Sequence, residues 1–366
     1  MSREKFHSWY FIAAFLLLLC PHCAFAEEEE SDEADVRVYN TPEERRHAGG
    51  QYELFEGLTL ISLLEAEAQL NSFGFAGSAE RFHTDESTLT LQTGLEYTPL
   101  DWFKAELVYE IEAGSDVPNK IKHIIDEAII AFEYEDFSLD LGRMNTPFGE
   151  YYSHFITGPL LEFAETGADG LVVSYDMDDA YEVAAYLFKP QFKKHSDVDL
   201  KEWGASVKLA ASQDLLFGAG YISNISDYQR EVLDAEDLAD SPRLSAFNAF
   251  TTLEIGSVFL SAEWVKTLDS YLTEEGSRHK PRAINFECSH ALSNEFELAA
   301  KFERSFELDE EPLKRYGVAA TYRLSDSVVW TTEFLYGNYI DYEVDSPREG
   351  EVNDVILLAT QVIYGF

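Results

Sequence analysis

Few side chains in this sequence are spaced for bond making. Ser289 and His290 are neighbours, and on a strand they would point to opposite faces, so they cannot serve each other as nucleophile and base. No G-x-S-x-G occurs, and the histidines are scattered without metal-ligand spacing. The acidic run 234–240 lacks the glycine and spacing of a calcium loop and leaves at most a weak divalent-cation site. Cys20-Pro21-His22-Cys23 has thioredoxin-type spacing, but it ends an apolar run with no βαβ pattern after it. No enzyme, cofactor or metal centre is expected. Alternating charge is what the chain offers instead. Phe296, Leu298, Ala300 and Phe302 oppose Glu295, Glu297, Lys301 and Glu303; Phe103, Leu107, Tyr109 and Ile111 oppose Lys104, Glu106, Glu110 and Glu112; Tyr316, Val318, Ala320 and Tyr322 oppose Arg315, Thr321 and Arg323. One face suits lipid and the other water, and charges fixed along a water-filled wall sort ions.

Such alternation needs strands. At period two the sequence predicts sixteen, at 58–69, 88–97, 102–112, 123–134, 137–144, 171–176, 181–188, 202–211, 215–224, 245–254, 258–268, 282–291, 295–306, 315–324, 328–339 and 352–366. Tight turns at 98–101, 135–136, 177–180, 212–214, 255–257, 292–294 and 325–327 alternate with long polar connections such as 72–87, 145–170, 226–244 and 269–281. Short turns on one side and long loops on the other mark an outer-membrane barrel. The expected fold is all-β, a transmembrane antiparallel up-and-down β-barrel of about sixteen strands over 57–366. A soluble sandwich also alternates, but it leaves the turn asymmetry unexplained.

Arg3 and Lys5 precede an apolar run at 9–19, and Ala24-Phe25-Ala26 has a small-x-small cleavage pattern, so 1–26 reads as a signal peptide for Sec-type export cut near Ala26. Residues 27–56 read as an acidic periplasmic segment, a passive leader more than a docking element and too short for a plug domain. No later apolar run is long enough to span as a helix. The formal charge is −41, and removing Arg3, Lys5 and Glu4 with the signal takes it to −42, which speaks against nucleic acid as a partner. Cys288 would be the only thiol left. Tyr364 and Phe366 fit the two aromatic positions of the terminal signal read by the barrel-assembly machinery, with Gln361 where a glycine usually lies. Aromatic residues near strand ends, Tyr97, Trp102, Phe103, Tyr134, Phe137, Tyr336, Tyr339, Tyr364 and Phe366, suit interfacial girdles facing outer-membrane lipid. The expected location is the bacterial outer membrane, with the oligomeric state open.

The connection at 145–170 differs from the other loops, because Phe148, Tyr151, Tyr152, Phe155, Ile156, Leu160, Leu161 and Phe163 are apolar or aromatic. A loop of that composition favours burial. We expect it to fold inward as the third extracellular loop and narrow the pore; an external cap is the alternative. Gly142-Arg143 with Pro147-Phe148-Gly149, then Ser153-His154-Phe155-Ile156, Pro159-Leu160 and Glu165-Thr166, resembles the LbtU-type siderophore porins, most strongly over 139–175. That resemblance implies a sixteen-stranded outer-membrane barrel without a globular plug, importing ferric siderophore.

The residues expected at the constriction are Arg143, Phe148, Glu150, Tyr151, His154, Phe155, Glu162 and Glu165. Those expected along the lumen are Lys104, Glu106, Glu110, Glu112, Glu295, Glu297, Lys301, Glu303, Arg315 and Arg323. Acids outnumber bases in this set, so the lumen should be net negative and favour cations. The expected function is passive or facilitated uptake of a small solute, with ferric siderophore as the cargo that the resemblance implies. A general cation-selective diffusion porin and a closed structural or adhesive barrel with partner-binding loops are the alternatives.

Overall fold

The computed structural model describes residues 50–76, 78, 80–115, 121–177, 180–189, 201–225, 243–272, 278–308, 311–342 and 352–366. The expected signal peptide, most of the acidic segment and the run at 234–240 lie outside the described residues. The strands are β1 (Gly50–Phe55), β2 (Leu58–Phe75), β3 (Arg81–Leu100), β4 (Phe103–Gly114), β5 (Lys122–Tyr134), β6 (Phe137–Asn145), β7 (Gly167–Met177), β8 (Tyr181–Lys189), β9 (Glu202–Ser212) and β10 (Leu215–Ile222). They continue with β11 (Ala246–Ile255), β12 (Val258–Thr267), β13 (Tyr271–Leu272), β14 (Arg278–His279), β15 (Arg282–Ala291), β16 (Phe296–Phe306), β17 (Lys314–Ser325), β18 (Val328–Tyr342) and β19 (Val352–Gly365).

From β2 to β12 and from β15 to β19 each strand pairs antiparallel with the next, and β12 pairs with β15 across the small β13–β14 hairpin. The last strand returns to the first, running from Val352 opposite Phe75 to Gly365 opposite Leu63. Sixteen strands thus close on themselves. Closure removes both sheet edges, so the wall strands pair with one another all the way round.

Residue type follows the alternation. On β16, Glu297, Ala299, Lys301, Glu303 and Ser305 are buried while Leu298 and Ala300 are exposed. Trp203, Phe217, Trp264, Phe286, Tyr316, Trp330 and Phe334 carry the exposed apolar face around the wall. An apolar outer band with a polar inner face is the solution for a barrel set in lipid. Cys288 lies on that outer face. Ser289 is buried and His290 exposed, so this pair sits on opposite faces as expected.

The tight turns lie at one end and the long connections at the other. Three details depart from the sequence reading. The connection at 72–87 shrinks to 76–80, because Phe73, Phe75 and Phe82 pack with Tyr339, Val352 and Val355 and carry β2 and β3 upward. Tyr339 therefore belongs to that inner cluster and not to an interfacial girdle. Residues 50–55, expected within an acidic tail, form β1, which pairs with 58–62 of β2. At Gly142, φ is +137° and a Cβ would overlap the Ala128 carbonyl, so the glycine of the Gly142-Arg143 step is needed for β6 to pass β5 closely.

Because β19 supplies the seam, removing residues 364–366 should prevent barrel closure. Comparing gel mobility of heated and unheated samples checks this: we expect the truncated chain to give no compact, heat-modifiable band.

Candidate functional site

Loop 146–166 joins β6 to β7 and returns through a single 3-10 turn at Glu162–Ala164. It cannot rely on a sheet ladder, so its peptide groups need other partners. A row of carboxylates on the buried face of distant strands provides them. Glu263 of β12 accepts from the backbone N–H groups of Glu150 and Tyr151 at 3.1 and 3.0 Å. Glu287 of β15 accepts from the Ser153 hydroxyl and the His154 N–H, both at 2.8 Å. Glu333 of β18 accepts from the Thr157 hydroxyl at 2.5 Å and its N–H at 3.2 Å. Glu303 of β16 accepts from the Leu160 N–H at 2.7 Å.

Two cations complete the row by donating to loop carbonyls. Lys301 reaches the Thr157 carbonyl at 2.8 Å, and Arg315 donates to the Gly158 carbonyl while its Nε donates to Glu303 at 2.5 Å. Lys301 also stands 4.4 Å from the centre of the Phe155 ring, a cation–π contact. Both cations pair with Glu303, Lys301 at 3.5 Å and Arg315 at 2.5 Å, which is how these buried groups tolerate their charge.

His154 is held from both sides. Its Nδ1 lies 2.8 Å from Glu297 and its Nε2 lies 3.0 Å from the Tyr152 hydroxyl. A carboxylate only accepts, so Nδ1 carries the proton and Nε2 accepts from tyrosine in the neutral ring. Phe259 of β12 packs against both rings.

Apolar contact anchors the rest of the loop. Phe148, Leu160, Leu161, Phe163 and Ala164 share a cluster with Met144, Val172, Tyr186, Phe188, Ile222, Val265 and Tyr271. Phe155 packs with Ala299, Ala319, Leu335, Leu357 and Ala359. Gly149, at φ +88°, turns the chain so that the next two N–H groups reach Glu263; a Cβ there would crowd that carboxylate and the Tyr151 ring. This accounts for the glycine of Pro147-Phe148-Gly149.

Of the residues expected at the constriction, Phe148, Glu150, Tyr151, His154, Phe155, Glu162 and Glu165 belong to this loop. Glu150 bonds Lys208 of β9 at 2.8 Å. Burial first, then the neighbouring Glu165 charge, pushes the Glu162 carboxyl up to about 7; burial first, then Asp126, does the same to Glu165. Arg143 is a correction. Register sets it opposite Ala128 and Asp169, on the outer face with exposed Leu141 and Val173, whereas its neighbour Met144 is buried. It lies near the end of β6, where a charge on the lipid face costs only about 0–1 kcal/mol.

The expected lumen residues divide in two. Glu297, Lys301, Glu303 and Arg315 are buried beneath the loop. Lys104, Glu106, Glu110 and Glu112 line the inner face of β4, half-buried, where Lys104 bridges Glu96 at 2.9 Å and Glu106 at 3.2 Å. Glu110 accepts from Gln92 at 2.7 Å, and Lys122 lies 3.7 Å from Glu112. Nearby, Gln361 donates to Glu65 at 3.0 Å. Arg323 is half-buried at the tight-turn end of β17. Glu295 is a second correction: it sits exposed in the turn before β16, held by the Ser293 hydroxyl at 2.8 Å, because the strand begins one residue later.

Sequence reasoning missed Glu263, Glu287 and Glu333. Their signal was present as acids at inward positions of neighbouring strands, but only the loop's position gives them a common role.

No protein-family model matches the sequence. Over 149 residues it is 30% identical to a UPF0422 protein of Coxiella burnetii, a match covering 37% of this chain and 31% of that one. The chain thus spans about a third of the length of the curated relative it matches. Among solved structures it is similar to the anion-selective porin from Comamonas acidovorans, with TM-score 0.61 and 10% identity over 84% of this chain and 100% of that one. Similarity extends to Salmonella typhi OmpF in complex with daunomycin, with TM-score 0.58 and 13% identity over 86% and 100% of the two chains. Pseudomonas putida OprB gives TM-score 0.58 and 10% identity over 84% and 94%. The fold is a porin barrel. Identity this low carries the fold alone, so what this barrel does must be argued from its own residues.

Glu303→Gln leaves Lys301 and Arg315 buried with less counter-charge, and breaking such a group costs about 3–5 kcal/mol. Urea unfolding in detergent should show that loss, whereas Glu295→Gln in the exposed turn should stay within about 0.5 kcal/mol of the parent.

Proposed function

We propose that the chain is an outer-membrane diffusion porin in which loop 146–166 lies across the lumen and sets its width, and in which the path left open favours cations. The observation that carries this reading is the separation of the acids. Those of β12, β15, β16 and β18 are spent on the loop, while Glu65, Glu96, Glu106, Glu110, Glu112 and Asp140 of β2–β6 face the remaining space with Lys104 and Lys122 as nearby cations. Carboxylates fixed along a confined aqueous path raise the local cation concentration, and salt weakens the effect as the Debye length falls from about 10 Å at 0.1 M to about 3 Å at 1 M.

The loop is bonded to the wall along its length and buries its aromatics, which supports a fixed constriction over an external cap. Ferric siderophore, the cargo implied by the resemblance to the LbtU-type porins, would pass this acidic wall only as a neutral or cationic complex. The signal peptide, delivery by the barrel-assembly machinery and contact with outer-membrane lipid belong to the same proposal. A closed adhesive barrel has no comparable support, since the acids of β2–β6 are arranged along a wall with no loop among the described residues bonded over them.

Reversal potentials in asymmetric potassium chloride test the proposal. We expect cation selectivity that declines with ionic strength; anion selectivity would overturn the lumen assignment, and protein that folds but never conducts would overturn the pore. Deleting 150–163 should raise single-channel conductance without loss of the folded band.

Selectivity should also depend on pH through Glu162 and Glu165. Their carboxyls titrate near 7 in the folded protein and near 4.5 unfolded, so the fold takes up protons between those values and stability falls as pH rises through that window. As pH drops from about 8 to about 5, the constriction loses negative charge and the cation preference should weaken. Glu162→Gln with Glu165→Gln should flatten that profile.

A further inference from the structure

The outer face at the long-connection end carries a row of cations with no carboxylate opposite them. Lys266 of β12 pairs in register with Arg282 of β15, and Arg304 of β16 pairs with Lys314 of β17. Arg282 faces Phe306, the residue two beyond Arg304 on the same face of β16. The neighbours Val265, Thr267, Ala283, Ser305 and Arg315 are buried, so the four cations point outward. Both guanidinium groups stand over one ring, each 4.2 Å from the centre of Phe306.

Among the described residues none of the four makes an ion pair, and the Arg304 Nε is buried with no hydrogen-bond partner. Glu307, the acid next along the chain, accepts from the Lys280 N–H at 2.6 Å. Two guanidinium groups sharing one ring repel each other unless an anion lies between them. In a chain of charge −41, a concentration of positive charge at one place on the rim is unexpected from composition. Directly toward the barrel middle on the same face lie Trp264, Phe286 and Tyr316, all exposed and apolar or aromatic. The row therefore stands where an apolar wall meets the headgroup layer.

We propose that Lys266, Arg282, Arg304 and Lys314 bind the phosphorylated headgroup of an anionic lipid in the surrounding leaflet. Arg304 and Arg282 grip phosphate oxygens by charge-assisted hydrogen bonds, Phe306 fixes the spacing of the two guanidiniums, and the aromatic band below takes the acyl chains. The proposal rests on the reading of the chain as a membrane-spanning porin.

The test uses the refolded full chain in detergent, titrated with a bis-phosphorylated glucosamine glycolipid, with phosphatidylcholine and with inorganic phosphate. Conductance is measured on the same preparation. We expect the glycolipid to bind, raising potassium chloride to weaken it, and Arg282→Gln with Arg304→Gln to lower its affinity at least about tenfold, the loss expected for one charge-assisted hydrogen bond. Arg143→Gln, a cation on the outer face of β6, should leave affinity unchanged. If the double variant fails to fold, Arg282→Gln alone, at an exposed position, and the salt dependence of the parent protein give the same decision.

Equal affinity in parent and variants overturns the site. Phosphatidylcholine binding as tightly as the glycolipid shows apolar contact only, and inorganic phosphate competing at equal concentration shows a free-anion site; either result also overturns the proposal. Absence of conductance with glycolipid discrimination intact counts against the porin and not against the lipid site.

Discussion

Every peptide group of a loop carried away from water needs a partner, and in this barrel wall carboxylates take five of the loop N–H groups while Lys301 and Arg315 serve its carbonyls. Glu263, Glu287, Glu303 and Glu333 take up seven hydrogen bonds from a single connection, five of them from backbone N–H groups and two from hydroxyls. Backbone donors are indifferent to side-chain type, so the loop's path is set by where the acids stand on the wall. Glu303 in turn is matched beneath the loop by Lys301 and Arg315. Loop, acids and cations form one assembly in which removing any member leaves another buried and unsatisfied.

That assembly divides the inner surface into two walls with different tasks. One wall is filled: its carboxylates are hydrogen-bonded to the loop, its aromatics are covered, and little of it meets solvent. The other retains half-buried acids with sparse counter-charge along β2–β6. Under the porin proposal, selectivity is a property of the wall left uncovered, and the overall charge of −41 is a poor guide to it. The similar porin from Comamonas acidovorans is described as anion-selective, which illustrates that the shared fold leaves the choice to side chains.

Much of the architecture was legible because a barrel strand writes its two faces at period two, and because turn length alternates with the side of the membrane. All sixteen wall strands lie where that pattern placed them, within a few residues except where β2, β3 and β7 run longer. What escaped the reading depends on contacts between parts far apart in sequence. The extension of β2 and β3 follows from Phe73 and Phe82 meeting Tyr339 and Val355. β1 has no alternation strong enough to be seen, and it is a strand only because the first residues of β2 lie open beside it. Arg143 was drawn into the loop by its place in a motif, whereas register sets it outward. Glu263, Glu287 and Glu333 looked like ordinary wall acids until the loop was laid over them.

β1 has a topological consequence. It pairs with β2 over 58–62 in the same direction as β19, which pairs with β2 from Phe75 down to Leu63, and the Phe366 N–H reaches the carbonyl of Ser62 at 3.1 Å. One edge of β2 is therefore covered by a composite strand, with residues 352–366 and 50–55 laid head to tail. The two segments meet at Ser62, which stands opposite Gly50 and whose carbonyl binds the Phe366 N–H. Joining Gly365 directly to Gly50, which stand in succession opposite Leu63 and Ser62, would turn two strand segments into a single continuous strand, and new ends could then be opened within a long connection without altering any register in the wall.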